Sequence, residues 1–276
     1  MSKKKEKNKP WILVYDLETS PILGWVWSLW ENNLALNQIE KDWEILSFSA
    51  KWYQDPKTKE VYGPHNNIIY MDQRNNKEII NDKKMLKALW DLVNDSDIVL
   101  TQNGVSFDNK KLAAKFLEAG LTPPSPSRQI DTKKIMSSAF ALTSNKLECA
   151  TEKFNIKFKK IKNSGFSLWT RCMKGELKAW KEMEKYNKYD ILSLEELHHR
   201  LAPWNKNPIN FSMYRNDLDK LDLRCTCGSS NLQRRGFSVT TAGKFTRYQC
   251  QDCGSWGRDK DNFIDKHTKK QLITKA

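Results

Sequence analysis

Four carboxylates in three short motifs are the residues of this chain best suited to do chemistry. Trp11-Ile-Leu-Val-Tyr15 runs into Asp16-Leu17-Glu18-Thr19. Residues 97–101 run into Asn103-Gly-Val-Ser-Phe107-Asp108, and Tyr186-Asn-Lys-Tyr-Asp190 opens an apolar helical pattern. Side chains alternate along a strand with period two, so Asp16 and Glu18 fall on one side of it. Like charges held that close repel unless a cation lies between them. Hard oxygen ligands on a rigid strand suit Mg²⁺ or Mn²⁺. Metal-dependent phosphoryl transfer is the chemistry this set implies.

Each acid also has a plain structural reading. Asp-x-Glu occurs by chance in many chains. Asp108 alone reads as a helix N-terminal acid, where the positive end of the dipole tolerates a carboxylate. Asp190 alone reads as a solvated acid on a helix whose apolar side carries Ile191, Leu192, Leu194, Leu197 and Leu201.

The elements that must position these acids are legible as patterns. Residues 24–30 and 45–53 have β-rich, partly alternating character and fit two further strands of a meander. Residues 77–94 repeat apolar positions at helical spacing through Ile79, Ile80, Leu86, Leu89, Trp90 and Val93. A strand at 97–101, a helix at 108–119 stopped by Gly120, a proline-rich loop at 122–126, a strand at 129–131 and a helix at 132–140 follow. Helical patterns return at 145–154 and 176–202, just ahead of Pro203. Strands first and alternation afterwards predict a layered α/β architecture with a mixed sheet flanked by helices.

The 276 residues carry 47 Lys+Arg against 33 Asp+Glu, a formal charge of +14. Such an excess points to a polyanionic partner, nucleic acid first among them. Residues 204–276 hold 14 Lys+Arg and 7 Asp+Glu, half of the excess. No run approaches the roughly 18 apolar residues of a membrane span, and the lysine-rich residues 1–9 lack the apolar stretch of a secretory signal. The cysteine usage and the absence of such a signal predict a cytoplasmic protein.

The three motifs together resemble the DEDD superfamily of 3′–5′ exonucleases, in its tyrosine variant, over about residues 10–202. Asp16-Leu-Glu18-Thr matches the first motif, Asn103-x-x-x-Phe107-Asp108 the second and Tyr186-x-x-x-Asp190 the third; Lys185 stands where the histidine variant needs His. The resemblance implies a ribonuclease-H-like fold. It also implies that Asp16, Glu18 and Asp190 hold one Mg²⁺ or Mn²⁺, that Asp16 and Asp108 serve a second, and that Tyr186 orients the attacking water. Asn103 and Phe107 become candidate substrate contacts. Asp131 reads as a helix cap.

Cys225-Thr-Cys227-Gly and Cys250-Gln-Asp-Cys253-Gly form two knuckles with 22 residues between the inner cysteines. Four thiolates in two close pairs make a closed tetrahedral Zn²⁺ site. The stretches beginning at Phe237 and Phe245 flank Ala242-Gly243, which predicts a hairpin and so a zinc ribbon. Arg234, Arg235 and Arg247 are its candidate substrate-binding residues, with Lys244, Arg258, Phe245, Tyr248 and Trp256 interleaved. Docking of a replication or repair protein is the ribbon's other reading. A ribonuclease-H-like nuclease followed by a zinc ribbon is similar to a group of exonucleases often encoded by bacteriophages.

Trp25, Trp27 and Trp30 suggest either a stacking platform or packed strand residues, and packing is the expectation. Asn145 is expected to cap a helix, His198 and His199 to lie on the surface, and Tyr189 to pack. The expected organisation is a disordered basic arm (1–9), a nuclease domain (10–202), a linker (203–223), a zinc ribbon (224–262) and a basic tail (263–276). The activity this predicts is a two-metal 3′–5′ exonuclease acting on nucleic acid, DNA before RNA. The rivals are a structure-specific endonuclease on the same fold and an inactive nucleic-acid-binding or recruitment protein.

Overall fold

The computed structural model describes residues 9–28, 30, 33–76, 82–159, 161, 163–215, 222–241 and 243–273. The expected basic arm up to residue 8, Ile79 and Ile80 of the first expected helix, residues 216–221 of the expected linker, Ala242 of the expected turn and residues 274–276 of the expected tail lie outside them. Among the described residues, 11–199 form one compact unit, and 200–273 with Lys9 and Pro10 form another.

The larger unit opens with strand β1 (Ile12–Thr19), followed by β2 (Leu23–Gly24), β3 (Ile39–Lys41), β4 (Ile45–Trp52) and β5 (Ile69–Asp72). Helix α1 (Lys83–Asp95), β6 (Ile98–Thr101), α2 (Asp108–Glu118), β7 (Arg128–Asp131) and α3 (Thr132–Ala139) come next. Helices α4 (Leu147–Lys153), α5 (Phe166–Met173) and the 25-residue α6 (Leu177–Leu201) complete it. Five strands form one sheet in the order β5-β4-β1-β6-β7. Strand β1 runs antiparallel to β4 and parallel to β6, so the mixed α/β sheet expected from the sequence is present.

Burial explains why β1 is central. Leu13, Tyr15 and Leu17 pack with Phe48, Ala50 and Trp52 of β4 against Leu86 and Leu89 of α1 and Leu112 and Phe116 of α2. Period-two alternation sends Asp16 and Glu18 to the opposite face. Every residue of β4 and β6 is buried, as strands covered on both faces require. Burying each large aliphatic side chain contributes about 1.5–3 kcal/mol.

The strand expected over 24–30 is only Leu23–Gly24. It pairs with β3 in a two-stranded ribbon outside the main sheet. Gly24 is needed there, because a Cβ would lie 2.6 Å from Leu34 Cδ2 and 2.8 Å from the Gln38 carbonyl oxygen. Trp25, Trp27 and Trp30 are 71 %, 94 % and 88 % exposed, so the expected packing is overturned. A strand residue is covered only when its sheet has a second layer, and these three lie beyond the short ribbon.

Two further expectations are corrected. His198 is buried, its ring 5.4 Å from that of Tyr53 in an edge-on contact, because it lies one turn from Leu194 on a helix covered on more than one stripe. Asn145 stands one residue too early to cap α4, whose N-cap is Lys146; its carbonyl instead accepts from Gln102 Nε2 at 2.8 Å. Tyr189 packs as expected, edge-on to Phe158.

In the smaller unit, β8 (Leu232–Thr240), β9 (Gly243–Cys250) and β10 (Trp256–Asn262) form an antiparallel sheet in the order β10-β9-β8, followed by a short α7 (Lys266–Lys270). The expected hairpin is β8–β9, closing at the Thr240–Gly243 pair; β10 was not evident in the sequence.

Candidate active site

The sheet and α6 converge on a cluster of acids. Asp16 and Glu18 lie opposite Ser49 and Ser47 of β4, and Asp190 comes from α6. One oxygen from each of Asp16, Glu18 and Asp190 lies within 4.8 Å of the others. Glu18 and Asp190 are buried and Asp16 is half-buried. At an effective dielectric of about 20, each ionised pair at this separation costs roughly 3–4 kcal/mol. A divalent cation offsets that cost, and hard carboxylate oxygens are the donors Mg²⁺ or Mn²⁺ takes. The donor set therefore fits such an ion.

Two neighbours fix the acids. Asn187 Nδ2 donates to Asp16 Oδ2 at 2.7 Å, and Trp169 Nε1 of α5 donates to Glu18 Oε2 at 3.1 Å. The Trp169 ring also meets Tyr186 edge-on at 6.2 Å. Tyr186, one turn before Asp190, is buried, and its hydroxyl is pushed well above the ordinary tyrosine range by burial and then by the charges of Asp190, Glu18 and Asp16. Neither Asn187 nor Trp169 was identified from the sequence. Asn187 could have been, since it lies three residues before Asp190 and shares its helix face.

Asp108 begins α2 and stands outside the tight cluster, buried beside β1. Burial pushes its carboxyl up to about 6, against the pull of backbone N–H bonds from Asp108 itself and Leu17, and the charge of Asp131 adds to the rise. Asp131 caps α3 as expected, accepting from Lys133 N and Lys134 N, and it also accepts from Asn103 N at 2.9 Å. That bond holds the second motif, where Asn103 adopts a left-handed φ of 65°. The Asn103 side chain accepts from Lys133 Nζ, and Phe107 is 43 % exposed with Lys111 Nζ 5.1 Å from its ring centroid.

In the smaller unit, Cys225, Cys227, Cys250 and Cys253 bring their sulfurs within 4.8 Å of one another. Cys225 and Cys253 are 3.6 Å apart, Cys227 and Cys250 3.8 Å. Disulfides would need about 2.05 Å. Sulfurs 2.3 Å from a tetrahedral zinc stand about 3.8 Å apart, so the four fit Zn²⁺. Arg234 lies over the ring of Phe237, Arg247 over Trp256 and Arg258 over Phe245, the last at 3.7 Å. Arg247 Nε also donates to the Arg235 carbonyl, which ties two of the candidate arginines together.

Residues 60–202 match the family model RNase_H_2 of the RNase_H superfamily. The chain belongs to the RNase_H superfamily. The matched residues contain Asp108, Tyr186 and Asp190, while Asp16 and Glu18 lie ahead of them. In structure, this superfamily member is similar to the family B DNA polymerase from the hyperthermophilic archaeon Pyrobaculum calidifontis. The TM-score is 0.50 at 14 % sequence identity, over 70 % of this chain. The chain spans 25 % of that polymerase, and a likeness at this identity concerns the fold alone. No curated protein matches the chain in sequence.

Proposed function

We propose that the chain is a metal-dependent 3′–5′ exonuclease of nucleic acid, with a zinc ribbon that helps to hold the substrate. The observation that carries this reading is the convergence of Asp16, Glu18 and Asp190 oxygens within 4.8 Å on an RNase_H superfamily fold. Superfamily membership supports nuclease chemistry in general. DNA is favoured over RNA because the protein it resembles in fold is a DNA polymerase.

Asp16, Glu18 and Asp190 would hold one divalent ion, and Asp16 with Asp108 a second. Such ions supply a more acidic water and neutralise charge developing on the phosphate. The chain's own residues do the rest. Asn187 and Trp169 lock the Asp16 and Glu18 carboxylates so that little reorganisation is needed when substrate arrives. The Tyr186 hydroxyl, one turn before Asp190, positions the attacking water by hydrogen bonding. Phe107 and Asn103, at the second motif, meet the terminal nucleotide.

Arg234, Arg247 and Arg258, set over Phe237, Trp256 and Phe245, give the ribbon paired phosphate and base contacts. Linear and covalently closed DNA circles test the exonuclease reading together. Degradation of the linear form with circles untouched is the expected result, and nicking of circles would select the endonuclease instead.

A further inference from the structure

The chain between β1 and β4 leaves and rejoins the sheet beside the acids. Thr19 pairs with Ile45, Ser20 N donates to the Glu44 carbonyl at 2.8 Å, and Glu44 N donates to Ser20 Oγ at 2.9 Å. Both ends of this excursion are thus clamped directly after Glu18. Residues 22–30 contain no charged side chain, yet Ile22, Trp25, Val26, Trp27 and Trp30 are all more than 45 % exposed. So many exposed apolar side chains within nine residues of sequence point to an interaction site. Where the excursion returns, Trp43 carries Lys111 Nζ 3.7 Å and Lys115 Nζ 5.0 Å from its ring centroid. Lys111 lies one turn after Asp108 on α2.

We infer that Trp25, Trp27 and Trp30 form a stacking platform for single-stranded nucleic acid, which delivers the free end of the strand to the carboxylates. The inference rests on the nuclease reading and extends it to the form of the substrate. Three observations select this occupant. The excursion is fastened at the acids, which any substrate must reach. Aromatic rings bind any base through its π-face, and only unpaired bases offer that face. The Lys111 amine over Trp43 supplies a phosphate contact where the excursion returns, in a chain whose net charge is +14; Lys115 is buried and paired with Glu44 and Glu118.

The test measures affinity for a 5′-fluorescein oligodeoxythymidylate by anisotropy across a salt series, using the whole 276-residue chain carrying Asp190→Asn to stop cleavage. Into it go Trp25→Ala/Trp27→Ala/Trp30→Ala and, separately, the three corresponding Trp→Phe changes. The alanine variant is expected to lose about tenfold or more in affinity. The slope of log affinity against log salt stays unchanged, because the rings carry no charge. The phenylalanine variant recovers most of the loss. Single-strand affinity within about twofold of the parent in the alanine variant overturns the platform and leaves the surface to a protein partner. Failure of the nuclease reading shows separately, as an absence of metal-dependent hydrolysis by the unmodified chain.

Discussion

Asn187, fully buried on α6, donates to Asp16 Oδ2 on β1 across 171 positions of sequence. The first and third motifs are joined by this bond as well as by any ion they share. It fixes which way the Asp16 carboxylate faces.

Asn187→Ala should therefore lower hydrolysis about 10–100-fold and raise the metal concentration needed for half-maximal rate, the usual result of losing an outer-shell partner. Initial rates over a Mg²⁺ titration measure both. A variant with wild-type rate and metal dependence would show that Asp16 needs no support.

Trp169→Phe keeps an aromatic ring against Tyr186 but removes the N–H that Glu18 receives. The expected loss is about tenfold in activity, with about 1 kcal/mol or less lost from stability. Trp169→Ala should cost more on both counts. Paired rate and urea-unfolding measurements separate the hydrogen bond from the packing.

His198 gives the nuclease unit a pH dependence distant from the acids. Burial pushes its pKa down from 6.5 to about 4, an effect that nearby His199 adds to and Asp55 opposes. As pH falls, the unfolded chain takes up this proton first, near 6.5, while the folded imidazole stays neutral until about 4. Stability is thus complete above the unfolded value and declines between those two points. The loss amounts to about 2 kcal/mol by about pH 5. His198→Phe should flatten that part of the stability profile, and urea midpoints at about pH 7 and about pH 5 read it directly.

Within β8–β10 only Phe245 and Cys250 are buried among the described residues. A core so small is of the kind that needs a bound metal to fold, and the four cysteines are the donors available for one. If the four cysteines hold Zn²⁺ as proposed, Cys250→Ser/Cys253→Ser should abolish zinc binding, unfold the ribbon and weaken nucleic-acid binding more than it slows the chemistry. Elemental analysis, circular dichroism and binding assays follow the three effects. Unchanged affinity would assign the ribbon to protein docking.

The sheet and the acids were legible because their signals are local: an apolar run ending in Asp-x-Glu, and Tyr186 one turn before Asp190. Helices α2, α3, α4 and α6 fall within a residue or two of expectation because each carries an amphipathic repeat. Helix α5 was missed; eight residues with only Leu168 and Cys172 buried give too short a period to read. Trp169 was lost with it. Strand β5 is a four-residue edge, equally short. The exposed tryptophans misled because their residue type favours burial, whereas their surroundings depend on layers elsewhere in the chain. His198 misled for the converse reason, a polar side chain on a helix wrapped by its neighbours.

The most direct test of the central claim follows a 5′-labelled DNA oligonucleotide with Mg²⁺ or Mn²⁺, using the wild type and Asp190→Ala. The account predicts a ladder that shortens one nucleotide at a time from the 3′ end, abolished by Asp190→Ala in a protein that remains folded. A ladder of equal rate from both proteins, or no metal-dependent cleavage by the wild type, would contradict it.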